Sequence, residues 1–233
     1  MLSSAEGSAF HATLPPYQQL GNVEEQVFDE LVLLAARLCK VPIAFISLLE
    51  DETVWFKHTT GWSGAERLPH NFTLCSVAVA QQTATIFPDL RQEPCLRINT
   101  QKIDALGLRF YAGMPLRSAQ DQAVGVLAVL DQQPRQLLTT DQTLLEQFAR
   151  LVESLLDLYR ATAQQKCNAP AEDAQVYSTI VESIQWMQAL AKRTTIGAED
   201  GAPGLDNKPA IGQEAHELTH LIRHHLNRPQ YFA

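Results

Sequence analysis

Two apolar runs, Phe110–Leu116 and Val124–Leu130, flank a polar segment, Ser118–Gln122, whose single apolar member is Ala119. Both runs have strand length and the connector has turn chemistry, so the stretch predicts an antiparallel hairpin. In Val124–Leu130 both alternating sets are apolar. A strand without a polar face needs cover on both sides of its sheet. The expected fold class is therefore α/β (α+β): a central antiparallel sheet, helices on one face, and a loop-and-helix layer over a pocket on the other.

The remaining pattern fills in this plan. Val27, Phe28, Leu31, Leu34, Ala35 and Leu38 recur at helical spacing, with Asn22 as a cap and Val41-Pro42 as a stop. Ile43–Leu49 and Val54–Thr60 read as strands, Gly61–Asn71 as a loop, and Phe72–Ala80 as a short helix capped by Thr73. Ala84–Leu90 reads as a strand, and Arg91–Leu106 as an irregular or weakly helical lid. Thr140 is the expected cap of a long helix running to about Gln164, with Leu144, Leu145, Phe148, Leu151, Val152, Leu155 and Tyr159 as its stripe. Its far half extends past the sheet, so Leu151, Leu155 and Tyr159 are expected to pair helices in a homodimer. Further on, Val176–Lys192 and Gln213–Leu226 read as helices around a flexible Ile196–Gly212. The chain thus divides into a lead-in (1–21), a domain (22–164) and a helical C-terminal extension (165–233).

Composition narrows the function. A net charge of −8 and a pI near 5.3 argue against a nucleic-acid partner or an anionic membrane surface, since phosphate contacts need clustered Lys and Arg. The N-terminus carries no basic-then-apolar secretory signal, and no apolar run reaches membrane-spanning length. Four cysteines without close pairing fit reduced thiols in a cytoplasm.

The candidate ligand-binding residues are Trp55, Phe72, Cys75, Phe110 and Met114 as cavity walls, with Arg97 or Arg109 offering charge to an anionic group. Cys75, in the first turn of a helix, is either a thiol activated by the helix dipole or a small buried hydrophobe. His216-Glu217-Leu218-Thr219-His220 spells the HExxH pattern of zinc proteases. No third ligand follows it, four of the seven histidines crowd into 216–225, and no metal site is expected there.

RFYAG-x-PL, a polar turn, and G-x-L-x-V-x-D ahead of a long helix resemble the second half of a GAF domain, in particular the bacterial signalling type. VPIAFISLL, VWFKHTTG, FTLCSVAV and the Pro-Asp at 88–89 fit that resemblance in order, so that it covers roughly residues 22–163. It implies a non-catalytic sensory or regulatory module of bacterial signal transduction, cytoplasmic, binding a small ligand or a protein partner. Neither a cyclic nucleotide nor a bilin is implied. Phe28-Asp29-Glu30 lacks the Asn-Lys part of the cyclic-nucleotide signature, and the Cys-His pair of a bilin site is missing. The cofactor is left unassigned. Two alternatives belong to other classes: a thiol enzyme resembling free methionine-(R)-sulfoxide reductase and using Cys75 and Cys95, or a ligand-free dimerisation adaptor.

Overall fold

The computed structural model describes residues 22–93, 101–164, 171–199 and 207–227. The elements follow the order α1 (Asn22–Cys39), β1 (Ile43–Leu49), β2 (Thr53–Thr60), β3 (Arg67–Pro69), α2 (Leu74–Gln81), β4 (Thr85–Phe87), α3 (Gln101–Ala105), β5 (Phe110–Arg117), β6 (Ala123–Asp131), α4 (Thr139–Gln164), α5 (Ala171–Glu199) and α6 (Lys208–Leu226). The strands form one six-stranded sheet in the order β3-β2-β1-β6-β5-β4, every neighbouring pair antiparallel.

The C-terminal end of α1 follows from its residues. Lys40 takes a left-handed φ of 53°, while its N–H bonds to Arg37 O and that of Val41 to Ala36 O. Those two bonds satisfy the last carbonyls of the helix, and Pro42 then prevents continuation. The hairpin of β5 and β6 closes where the polar segment predicts. Asp121 adopts φ 59°, its N–H bonds to Ser118 O, and the Arg117 guanidinium ties the turn through Asp121 Oδ1.

Alternation divides the strands between two cores. On one face Ala44, Ile46 and Leu48 of β1, Phe110, Ala112, Met114 and Leu116 of β5, and Leu127 and Val129 of β6 pack under α1, α4, α5 and α6. On the other, Phe45, Phe56, Tyr111, Val126, Ala128 and Leu130 meet α2, α3 and the turns beside them. Every residue of β6 is buried, as the doubly apolar run requires.

Three boundaries differ from expectation. Leu138, not Thr140, supplies the carbonyl that accepts the first N–H groups of α4, so Thr140 stands inside the first turn. Ala84–Leu90 forms only a three-residue strand followed by a 3-10 turn at Leu90–Gln92. The extension is more helical than its glycines suggest: α5 runs to Glu199 and α6 begins at Lys208. Gly212 lies within α6, where a Cβ would fall 2.2 Å from the side-chain oxygen of Gln147 on α4. It does not break the helix.

The extension closes the helix layer. Ile180, Ile184 and Met187 of α5 and Ile211, Ala215, Leu218 and Ile222 of α6 join one core with α1 and α4. Leu151, Leu155 and Tyr159, expected to meet a second copy, are buried within the chain. The polar edges agree: Lys208 pairs with Asp141, Arg223 Nε donates to Ser154 Oγ at 3.2 Å, and Asn207 Nδ2 donates to Leu190 O at 3.1 Å.

One buried base is expected to make the layer acid-sensitive. The register slips between Ile46 and Ser47 of β1, opposite His58 and Phe56 of β2, and this bulge turns both Lys57 and His58 towards α1. His58 is 2% exposed. Its ring lies 4.9 Å from Phe28, with Nδ1 2.9 Å from Asp29 Oδ1. Burial lowers its pKa against the opposing pull of Asp29 and Glu25. The unfolded chain, with an ordinary histidine near 6.5, therefore binds the proton more readily than the folded one, and acid favours unfolding. We expect the melting temperature to fall as pH drops from about 7 to 5, and His58→Gln to flatten that slope. A wild-type midpoint constant over this window contradicts the assignment.

Candidate functional site

The face under α2 and α3 holds a small cavity of about 30 Å³, walled by Phe45, Phe56, Trp62, Leu74, Leu108 and Tyr111 among others. That is space for one or two water molecules. Phe45, Phe56 and Trp62 form an aromatic cluster, with Trp62 stacked on Phe56 at 4.8 Å and edge-on to Phe45 at 5.3 Å. Trp62 sits on the loop after β2, and its Nε1 donates to Ala65 O at 3.3 Å.

The polar groups here are few and buried. Thr73 caps α2, its Oγ1 accepting from Ser76 N, as the sequence predicts. Cys75 is 1% exposed. Burial lifts its thiol to about 11 against the weaker opposing pull of the Ser47 and Tyr111 hydroxyls, so the dipole of α2 does not make it a thiolate. The small-hydrophobe reading of Cys75 holds. Tyr111 is wholly buried. Its hydroxyl faces the Cys75 thiol, its pKa is raised first by burial, and it forms no well-made hydrogen bond among the described residues. A thiol is a weak acceptor, so the hydroxyl is a ready donor for a stronger acceptor entering the cavity.

The structure does not bring the expected lining residues together. Trp55, Phe110 and Met114 belong to the helix-side core, across the sheet from Cys75. The error is one of parity, since Tyr111, one residue on from Phe110, is the β5 side chain that reaches the cavity. Trp55 stands at the edge of its core with Lys57 and Arg67 over its ring at 4.7 and 4.5 Å and its Nε1 2.8 Å from Glu66 Oε1. Arg109 offers no charge to a ligand. Its Nε and Nη2 are held by Asp89 at 2.7 and 2.6 Å, and that contact depresses the carboxyl of Asp89 to about 2. Arg97, Cys95 and the side chain of Phe72 lie outside the described residues.

Trp62, Tyr111 and Leu108 were missed by pattern reading. The strongest available signal was Trp62, a large aromatic alone in a loop of Gly, Ser and charge, where hydrophobes have reason to be only if they fold back. Of the motif in the extension, His216 and His220 meet edge to face on α6 with ring centres 4.6 Å apart. Among the described residues no group of three or more His, Cys, Asp or Glu is placed to hold a metal ion.

Comparison with known proteins agrees with this architecture. The chain is 33% identical over 156 residues to a cyclic di-GMP phosphodiesterase of Pseudomonas aeruginosa, a match covering 65% of this chain and about a quarter (26%) of the relative. Among solved structures it is similar to the GAF domain of an Acinetobacter phosphoenolpyruvate-protein phosphotransferase, at 14% identity and a TM-score of 0.51, over 69% of this chain and 97% of that one. A blue-light-absorbing GAF domain of Thermosynechococcus elongatus matches at 15% identity and a TM-score of 0.51, over 63% and 95%. Among the described residues no helix is long and apolar enough to cross a membrane. The GAF domain family model matches residues 24–156, more than half of the chain, and the chain belongs to that family.

Proposed function

We propose that this chain is a non-catalytic sensory module of bacterial signal transduction, acting in the cytoplasm, which binds a small ligand beneath α2 and α3 and passes the change through the sheet to the helix layer. The observation that carries the reading is Tyr111. Its hydroxyl is buried without a well-formed partner beside a cavity, while the neighbouring strand residues Phe110 and Ala112 pack on the helix side. A ligand meeting Tyr111 therefore moves a strand whose other face is the floor of α1 and α4. The cavity holds only one or two waters as it stands, so a metabolite must displace Trp62 or α3. That cost makes binding and rearrangement one event.

The kinship with a cyclic di-GMP phosphodiesterase supports a regulatory role, and the small part of that relative that is matched leaves its activity with the relative. A thiol enzyme is disfavoured, since a buried Cys75 near 11 is almost wholly protonated at neutral pH. Docking of a protein partner or of a second copy would fall to the outer surfaces of α5 and α6, where Trp186 is 45% and Leu221 37% exposed.

Metabolite screening by thermal shift tests the reading, followed by hydrogen exchange on α4 with the best hit. A stabilising metabolite should bind about three- to tenfold more weakly to Tyr111→Phe, the worth of one hydrogen bond, and should change exchange in α4. A hit indifferent to Tyr111→Phe, or a screen without hits, removes the ligand and leaves the adaptor.

A further inference from the structure

On the helix side of the sheet lies a second and larger cavity, of about 200 Å³, independent of the site above. It opens where four segments meet: the C-terminal end of α1, the start of β5, the connection from β6 to α4, and the N-terminus of α6. Leu38, Val41, Phe110 and Leu137 give it an apolar wall. At its rim stands Leu138, 60% exposed, the most exposed large hydrophobe among the described residues.

The charges around it are unequal. Lys208 and Asp141 pair with one another. Arg135 spends its Nε on Asp131 and its backbone N–H on Pro88 O, so its two terminal nitrogens have no protein partner among the described residues. Lys40 lines the cavity, fixed in place by the left-handed turn that ends α1, and its ammonium likewise has no ion-pair partner there. Counting Lys40, Arg135 and Lys208 against Asp131 and Asp141 leaves one positive charge in a chain of net charge −8. On the far side of Arg135 a wider depression of about 360 Å³ carries Asp89, already paired with Arg109, and Glu93.

We infer that this cavity binds a small organic anion, its carboxylate or phosphate held by Arg135 and Lys40 and its apolar body laid against Phe110, Leu137 and Leu138. The volume is below the ~300–1,000 Å³ of pockets for drug-sized ligands, so the body is short. The guanidinium fork provides paired donors for a planar or tetrahedral anion, and the ammonium adds a mobile charge. Because Lys208 of α6 lines the same space as residues of the body, occupancy also bears on how the extension docks.

Cys39 supplies a reporter. It lies in the cavity wall, 7% exposed, with burial lifting its thiol to about 12, and its slow alkylation by iodoacetamide can be followed by peptide mass mapping. The probes are hexanoate, its neutral isostere hexanamide, and inorganic phosphate, each titrated into the full chain by calorimetry. Hexanoate should bind and slow labelling of Cys39, hexanamide should do neither, and phosphate should bind at least about tenfold more weakly. Lys40→Gln and Arg135→Gln should each weaken hexanoate about tenfold or more, the worth of one charge-assisted contact. Lys40 is exposed and unpaired, so its variant separates lost binding from lost folding. The inference is overturned if neither hexanoate nor its shorter and longer homologues bind. It is equally overturned by hexanamide or phosphate binding as well as hexanoate, by affinity unchanged in both variants, or by protection of Cys75 without protection of Cys39.

Discussion

Leu155→Glu is expected to unfold the chain, not to release one copy from another. Leu155 is fully buried in the core that α4 shares with α1, α5 and α6. The substitution removes a branched apolar side chain, worth about 2–5 kcal/mol in comparable cores. It also places a carboxylate where no described cation waits for it. An unpaired buried charge adds several kcal/mol more, against a total stability of roughly 5–15 kcal/mol for a domain. Circular dichroism and urea titration should show a largely unfolded or aggregating protein at ambient temperature. Leu138→Glu, at the exposed end of the same helix layer, should cost less than about 0.5 kcal/mol. A folded, soluble Leu155→Glu protein with a normal melting temperature would mean that α5 and α6 do not cover α4 in solution.

The stripe behind this result was fully legible in the sequence; its occupant was not. A 3.6-residue period says which side of α4 must be buried and nothing about whether the cover comes from another copy or from farther along the same chain. The cover could have been suspected. Ile211, Ala215, Leu218 and Ile222 form a matching stripe on α6, and a short extension with its own apolar face must place that face somewhere.

The sheet shows the same limit more sharply. That β5 and β6 are buried on both faces could be read directly from their composition, and their pairing is as expected. Which face carries α4 could not. When both alternating sets are apolar, parity loses its meaning, and Phe110 and Tyr111 are equally good candidates for the cavity. The choice is made by the neighbouring strands. β1 pairs Ile46 with Leu127 and Phe45 with Ala128, and these partners share their faces with Phe110 and Tyr111 respectively. The bulge after Ile46, which turns both Lys57 and His58 to α1, leaves no mark in a hydrophobicity pattern because Lys and His look equally polar. Arg109 taught a different lesson. A charge beside a pocket attracts a ligand only if no carboxylate reaches it first, and Asp89, twenty positions earlier, does.

Gly125→Ala should be the most damaging single-methyl addition in the sheet. Gly125 lies near the start of β6, between Leu48 of β1 and Leu116 of β5, inside the paired ladder where glycine otherwise weakens a strand. Its lack of a side chain is what lets β1 come close. A Cβ would fall 2.3 Å from Ser47 O and 3.1 Å from Leu48 Cδ2. The first of these is backbone inside a paired strand, so it cannot rotate away. Either β1 shifts, or β6 bends and gives up ladder hydrogen bonds on both sides. Overpacking of this kind costs about 1–3 kcal/mol and more where backbone must move, which for a chain of this size lowers the melting temperature by roughly 2–4 °C per kcal/mol. The effect should also reach the cavity. Ser47 follows the bulge in β1, and its hydroxyl, which donates to Val126 O at 3.4 Å, faces Cys75. Displacing β1 therefore moves the polar seam that ends at Tyr111. The control is Ala123→Gly, at the margin of the same strand, which removes a methyl without forcing backbone and should cost about 1 kcal/mol. If Gly125→Ala melts with the wild type, β1 and β6 are farther apart at this point than the pairing requires, and the link from the cavity to the helix layer loses its shortest route.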